Sequence, residues 1–174
     1  MNKEEKCLKE NVVYKGRILT LNCDDVLCSN GEESKREVVH HHGGVCILAE
    51  YEGKIAFVKQ FRYSYKEEIL ELPAGKIEPG ENPYDCGMRE LEEEVGLIAE
   101  KLIDYGVMYP SPGYTNEKIY LYVASGLSKG KQHFDKDEVI DAIFMTKDEI
   151  KNLLDNNKIN DAKTLCLLYK YLFK

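Results

Sequence analysis

The sequence predicts a mixed α/β fold, a mixed sheet between helices, preceded by a small all-β element. Three observations carry this. A short amphipathic helix pattern, opening at Pro83 and ending before Gly96, sits mid-chain with strand-like apolar runs before and after it. Two further helical patterns close the C-terminal end. The first forty residues hold strand patterns around an Asn30-Gly31 turn signal. Strands that precede, surround and follow one central helix are not a regular βαβ repeat, so a mixed sheet between helical layers is expected. The predicted boundaries are 1–40 for the N-terminal β element and 41–174 for the main domain.

In chain order, residues 1–10 read as a mobile lead or short helix. Residues 11–20, NVVYKGRILT, have strand composition. Val26 to Cys28 and Lys35 to Val39 flank the Asn-Gly turn as a hairpin. An antiparallel sheet this small buries little by itself and needs a surface to pack on. His40-His41-His42 follows. Adjacent strand residues point to alternate faces, so the triple histidine is a poor chelate and reads as structural. Val45 to Ala49 and Ile55 to Lys59 form a hairpin across Glu52-Gly53. Ile69 to Leu72 is a short strand running into Pro73-Ala74-Gly75. Beyond the central helix, Lys101 to Tyr109, Lys118 to Ala124 and Val139 to Met145 read as strands. Thr146 and Glu149 make a capping-box signature for a helix at 147–155. Asn160 or Asp161 caps a last helix with Leu165, Leu168, Tyr169 and Leu172 on its apolar face.

Composition narrows the function class. The 174 residues fit one compact domain with a small appended element. The formal charge of −7 with no basic patch argues against nucleic-acid binding. No apolar run approaches a membrane span, and the opening MNKEEKCLKE is unlike a secretory signal. The six cysteines, at 7, 23, 28, 46, 86 and 166, form no CxxC pair, which suits free thiols in a reducing cytoplasm. Only four arginines are present, Arg17, Arg36, Arg62 and Arg89, and their scarcity makes each worth inspecting.

The central helix carries the chemistry. Asn82 is a candidate N-cap, and Pro83 suits the first helical position. Tyr84, Met88, Leu91 and Val95 form a core-facing stripe. Glu90, Glu93 and Glu94 lie off it, within one turn of each other and near the helix C-terminus, where the macrodipole disfavours negative charge. Either this is a solvated acidic face, or a hard divalent cation such as Mg2+ or Mn2+ relieves the repulsion.

A longer pattern bears on that choice: Gly75, Glu81, Arg89-Glu90-Leu91, Glu93-Glu94 and Gly96-Leu97 at fixed spacings. It resembles the Nudix box of the Nudix hydrolase superfamily, with every fixed position filled. The resemblance implies an α/β/α sandwich and metal-dependent cleavage of a pyrophosphate linked to a nucleoside. It also implies Glu90 and Glu94 as principal metal ligands, Glu93 assisting, and the Ala74 carbonyl completing the shell. Glu81 would assist the metal or orient the helix, and Arg89 would hold a box glutamate in place.

Other segments resemble the ADP-ribose pyrophosphatase branch. Pro112 lies fifteen residues beyond the box, inside Ser-Pro-Gly. Arg36-Glu37-Val38-Val39, Gln60-Phe61-Arg62, Leu72-Pro73-Ala74-Gly75 and Asp161-Ala162-Lys163-Thr164 follow the same order. One departure is His40-His41-His42-Gly43, where branch members carry a Glu-His-Pro-Gly-like segment. The resemblance implies a homodimer and a loop glutamate as base. Glu138 is the choice within Asp135-Lys136-Asp137-Glu138, with Asp137 its rival. Arg36, Glu37 and Arg62 are candidates for gripping the adenosine or pyrophosphate. The expected reaction is conversion of ADP-ribose to AMP and ribose 5-phosphate. Alternatives are another nucleoside diphosphate sugar, or a ligand-sensing module without turnover; such modules often lose box carboxylates, and none is lost here.

Overall fold

The computed structural model describes residues 3–133 and 139–173. It contains two compact units, Met1–Gly43 with Tyr109–Lys118, and Gly44–Met108 with Ile119–Lys174.

The first unit is a four-stranded antiparallel sheet of β1 (Lys6–Lys9), β2 (Val12–Lys15), β3 (Leu19–Leu27) and β4 (Glu33–His41). The nine-residue β3 is its spine. β4 pairs along its whole length, while β2 and β1 pair with successive halves of β3. Two expectations are corrected here. Residues 11–20 are not one strand, because the chain turns at Gly16, whose N–H bonds the Leu19 carbonyl at 2.9 Å. Lys6–Lys9 is a strand rather than a lead or short helix. The reason is non-local: β2 covers only one half of β3, and β1 satisfies the backbone groups of the other half. The Asn30-Gly31 turn is as expected, with Gly31 at φ 89°.

The segment Tyr109–Lys118 belongs to this unit because it lies along β4. The Val39 N–H bonds the Tyr114 carbonyl at 2.7 Å, and the Asn116 N–H bonds the Val39 carbonyl at 3.1 Å. The histidines take structural parts. The His41 N–H donates to the Asn116 side chain at 2.9 Å, and the His41 ring lies 3.2 Å from Glu117.

The second unit contains β5 (Gly44–Leu48), β6 (Glu50–Tyr51), β7 (Lys54–Arg62), β8 (Glu67–Glu71) and β9 (Ala74–Lys76). It continues with α1 (Pro83–Val95), β10 (Leu97–Ile98), β11 (Lys101–Met108), β12 (Ile119–Ser125), β13 (Ser128–Lys129), β14 (Ile140–Met145), α2 (Lys147–Asp155) and α3 (Ala162–Leu172). One sheet runs β11-β12-β5-β9, with β12 and β5 parallel and the other pairs antiparallel. A second centres on β7, which pairs with β14, β6 and β8, and β10 pairs with β13. The expected hairpin of Val45 to Ala49 with Ile55 to Lys59 is corrected: β5 pairs with β12 and β9, and the short β6 is what meets β7 across the turn.

Two-residue periodicity divides the core into two layers. Val45, Ile47, Ala56, Val58, Tyr122 and Ala124 meet Cys86, Leu91 and Val95 of α1. The alternate residues Cys46, Leu48, Ile55, Phe57, Leu121 and Val123 meet Ile150 of α2 and Leu167 and Leu168 of α3. This is the α/β/α sandwich that the resemblance implies.

The helix ends follow local rules. The Asn82 side chain accepts from the Asp85 N–H, Pro83 opens α1, and Gly96 closes it in the left-handed region at φ 65°. Thr146 and Glu149 form the capping box of α2, and Asp161, rather than Asn160, caps α3. The stripe on α1 needs one adjustment. Tyr84 is 38% exposed, resting edge-on against Tyr122, while Cys86 and Gly87 are buried. A Cβ on Gly87 would lie 2.7 Å from Leu102, so its absence lets α1 approach the sheet closely.

Candidate active site

β9 pairs with β5, Val45 opposite Gly75, and this places the turn before α1 against the acidic face of the helix. A Cβ on Gly75 would lie 1.8 Å from the Glu90 carboxylate, so the carboxylate occupies the space that any other residue would fill.

Arg89 ties the acidic residues together. Its Nε and Nη2 donate to the two Glu81 oxygens at 2.9 and 3.1 Å, a fork. Its Nη1 donates to Glu90 at 2.9 Å and to Glu93 at 2.8 Å. The Arg89 bonds hold the Glu81 carboxyl below the usual carboxylate range, and Glu81 in turn heads the causes that raise the Arg89 pKa. Glu94 is buried at 4% exposure and accepts the Ala74 N–H at 2.8 Å. Glu94 and Ala74 are thus neighbours, joined through the amide of Ala74.

Among the described residues no three acidic, histidine or cysteine side chains form a ready-made coordination cluster. Arg89 holds Glu81, Glu90 and Glu93 in its own bonds. The donor chemistry nevertheless fits a hard divalent cation: three carboxylates gather around one guanidinium, Glu94 adds a fourth from the same helix, and all offer oxygen. Glu90, Glu93 and Glu94, with Glu81 beside them, are the residues that would hold it.

Arg62, at the end of β7, makes a second fork. Its Nε and Nη2 donate to the Glu71 oxygens at 2.6 and 2.7 Å. Lys163 also donates to Glu71, and it reaches Asp161 at 2.9 Å. Glu71 and Lys163 were not singled out as site residues from the sequence. The available signal was a glutamate alone in the apolar run Ile69-Leu70-Glu71-Leu72, because such a residue is buried only when paired.

The C-terminal end of α1 supports the next segment. The Gly130 N–H bonds the Gly96 carbonyl at 2.9 Å, and the His133 N–H bonds the Glu93 carbonyl at 3.1 Å. Glu138 and Asp137 lie outside the described residues.

The remaining candidates belong to the first unit. Arg36 on β4 bonds Glu5, Ser34 and the Lys35 carbonyl. Its neighbour Glu37 is exposed, as is Pro112 in the segment along β4.

A mixed sheet between helical layers, with an Arg-bridged carboxylate helix laid on a Gly75 turn, defines a hydrolase scaffold of the Nudix type. The chain belongs to the Nudix family: the NUDIX domain model matches residues 40–168. The Nucleoside diphosphate sugar hydrolase N-terminal domain model matches residues 5–39. An ADP-ribose pyrophosphatase of Bacillus subtilis (strain 168) is 40% identical over 164 residues, covering 92% of this chain and 89% of the relative. A methanol dehydrogenase activator of Bacillus methanolicus is 42% identical over 165 residues, covering 93% and 89%. The fold matches a crystal structure of an ADP compounds hydrolase with TM-score 0.84 at 23% identity, over 97% of this chain and 92% of the other.

Proposed function

We propose that this Nudix pyrophosphohydrolase uses Mg2+, or Mn2+, to hydrolyse the pyrophosphate bond of ADP-ribose, giving AMP and ribose 5-phosphate. The observation that carries the reading is the convergence of Glu81, Glu90 and Glu93 on Arg89, beside the bond between Glu94 and Ala74. Four carboxylates against one guanidinium leave surplus negative charge that a divalent ion neutralises. The 40% identical ADP-ribose pyrophosphatase supports the choice of substrate.

Glu90 and Glu94 are the principal ligands, with Glu93 assisting and the Ala74 carbonyl completing the shell. Arg89 fixes the carboxylates and keeps Glu81 charged. A divalent ion held by these residues would supply polarisation of phosphoryl oxygens and a lowered pKa for a water. Glu138 takes the proton of the attacking water, with Asp137 its rival. Arg36, Glu37, Arg62 and the Pro112 loop hold the adenosine and pyrophosphate parts. Residues 1–40 act as a dimerisation and substrate-contact element appended to the domain at 41–174. The protein works in the cytoplasm, where its six cysteines stay free.

The test is hydrolysis of ADP-ribose against a panel of other nucleoside diphosphate sugars in Mg2+. ADP-ribose should show the highest kcat/KM; a better non-adenosine substrate moves the assignment to another nucleoside diphosphate sugar. Glu94→Gln should abolish turnover with the fold intact, because the amide oxygen still accepts the Ala74 N–H. Wild-type turnover in that variant refutes the metal assignment. A second reading, an activator of another enzyme, rests on the Bacillus methanolicus relative and its name. A module that only senses its ligand would bind ADP-ribose without consuming it, which the same assay separates.

A further inference from the structure

Around Arg62, the residues Glu71, Asp161 and Lys163 form a group of largely buried charge that the proposed reaction leaves without a task. Glu71 is 2% exposed and lies at the end of β8. Burial pushes its pKa up, but Arg62 and Lys163 outweigh that and hold it below the usual carboxylate range. Buried ion pairs are poor sources of net stability, because desolvating them offsets most of their attraction. Such a cluster therefore calls for a positional explanation.

The position is informative. Glu71 begins a short segment on which three elements meet. Its carboxylate takes the Arg62 fork from β7 and the Lys163 ammonium from α3. The next N–H, of Leu72, donates to Thr164 in the first turn of α3 at 2.8 Å. Two residues later the Ala74 N–H donates to Glu94 of α1. Among the described residues the guanidinium of Arg62 is bound along one edge. Nε and Nη2 face Glu71, while Nη1 has no partner among the described residues and the side chain is 38% exposed.

Taking Arg62 as the phosphate-gripping residue of the function proposed above, we infer that Glu71 is a positioning residue for substrate binding. Its carboxylate, braced by Lys163, which Asp161 in turn holds, fixes the inner edge of Arg62. The Nη1 edge is then held outward as a preset donor for a substrate phosphate oxygen, in register with Glu94. Arg62 suits this task because its fork serves two anions at once, one on each edge, which lysine cannot do. The brace also lowers the entropy lost when Arg62 meets substrate.

The experiment is steady-state ADP-ribose hydrolysis at saturating Mg2+ by wild type, Glu71→Gln, Arg62→Ala and the double variant, with melting curves for each. Glu71→Gln should raise KM about tenfold, the scale of one charge-assisted hydrogen bond, while kcat and the Mg2+ activation midpoint stay within about threefold. In the Arg62→Ala background, Glu71→Gln should add nothing further to KM, because Glu71 works through Arg62. Additive effects, or a wild-type KM with only a lower Tm, overturn the positioning role. Should Glu71→Gln not fold, Glu71→Asp keeps the charge and withdraws the carboxylate by one methylene. It should raise KM in the same Arg62-dependent way, and a wild-type KM overturns the role. A wild type that turns over none of the nucleoside diphosphate sugars refutes the function itself. An active wild type with additive variants refutes only the role of Glu71.

Discussion

At the scale of single residues, the site depends on an absent side chain and a planar one. Gly75 leaves the space that the Glu90 carboxylate fills. Gly75→Ala forces that carboxylate aside, and because Glu90 is long and flexible the fold survives. Activity should fall about 10- to 100-fold, as when the support of a metal ligand is lost, with Tm little changed. An Mg2+ titration should show a weaker activation midpoint, and an unchanged midpoint would mean Glu90 is no ligand. Arg89 contributes by shape as much as by charge. Its guanidinium reaches Glu81 twice and Glu90 and Glu93 once each. Lysine has one ammonium and no fork, so Arg89→Lys should lose activity on the same scale despite keeping the charge. Near-normal kcat/KM in that variant would show that charge alone suffices.

At the scale of elements, α1 is held from both ends by local chemistry. Asn82→Ala removes the cap on the Asp85 N–H and should cost about 1 kcal/mol in urea denaturation, with a smaller loss of activity. A loss of stability no larger than that of an exposed surface control would show that the cap is dispensable. Such caps were legible in the sequence because each rests on residues three or four apart. The same holds for the Thr146–Glu149 box, and for the alternation in β5, β7 and β12 that sorts the two core layers. What escaped was non-local. Lys6–Lys9 is a strand only because β2 leaves half of β3 uncovered. Glu71 meets Lys163 across ninety-two positions of chain, so no window reveals the pair. The box spacing placed the acidic residues on one helix, but not the bond that turns the Ala74 N–H toward Glu94. The stripe of α1 misjudged Tyr84 because the small Cys86 and Gly87 take the closest approach to the sheet.

At the scale of the whole molecule, two consequences follow from charge and from uncovered surface. Glu71 and Glu81 have pKa values lowered in the folded state, Glu71 by its cations against burial and Glu81 by Arg89. The unfolded chain therefore takes up protons first as pH falls. Their contribution is complete above the ordinary carboxylate pKa of about 4.3 and is lost through the lower folded values. Urea midpoints should fall steeply below that point, and Glu71→Gln should flatten the slope. The second consequence concerns the N-terminal sheet. β2 exposes Val12 at 62%, Val13 at 63% and Tyr14 at 58%, and Leu8 and Ile18 are exposed as well. A strand with apolar residues on both faces is a poor surface to leave in water, and a second copy of the chain is the partner already proposed. If that copy covers β2, sedimentation should show a dimer whose Tm rises with protein concentration, since association stabilises by mass action. Val13→Asp should then give a monomer with a concentration-independent Tm and reduced kcat/KM, because residues 1–40 are proposed to complete the site. A Val13→Asp protein that remains dimeric would place the interface elsewhere, and a monomeric wild type would leave β2 as a surface that each chain tolerates alone.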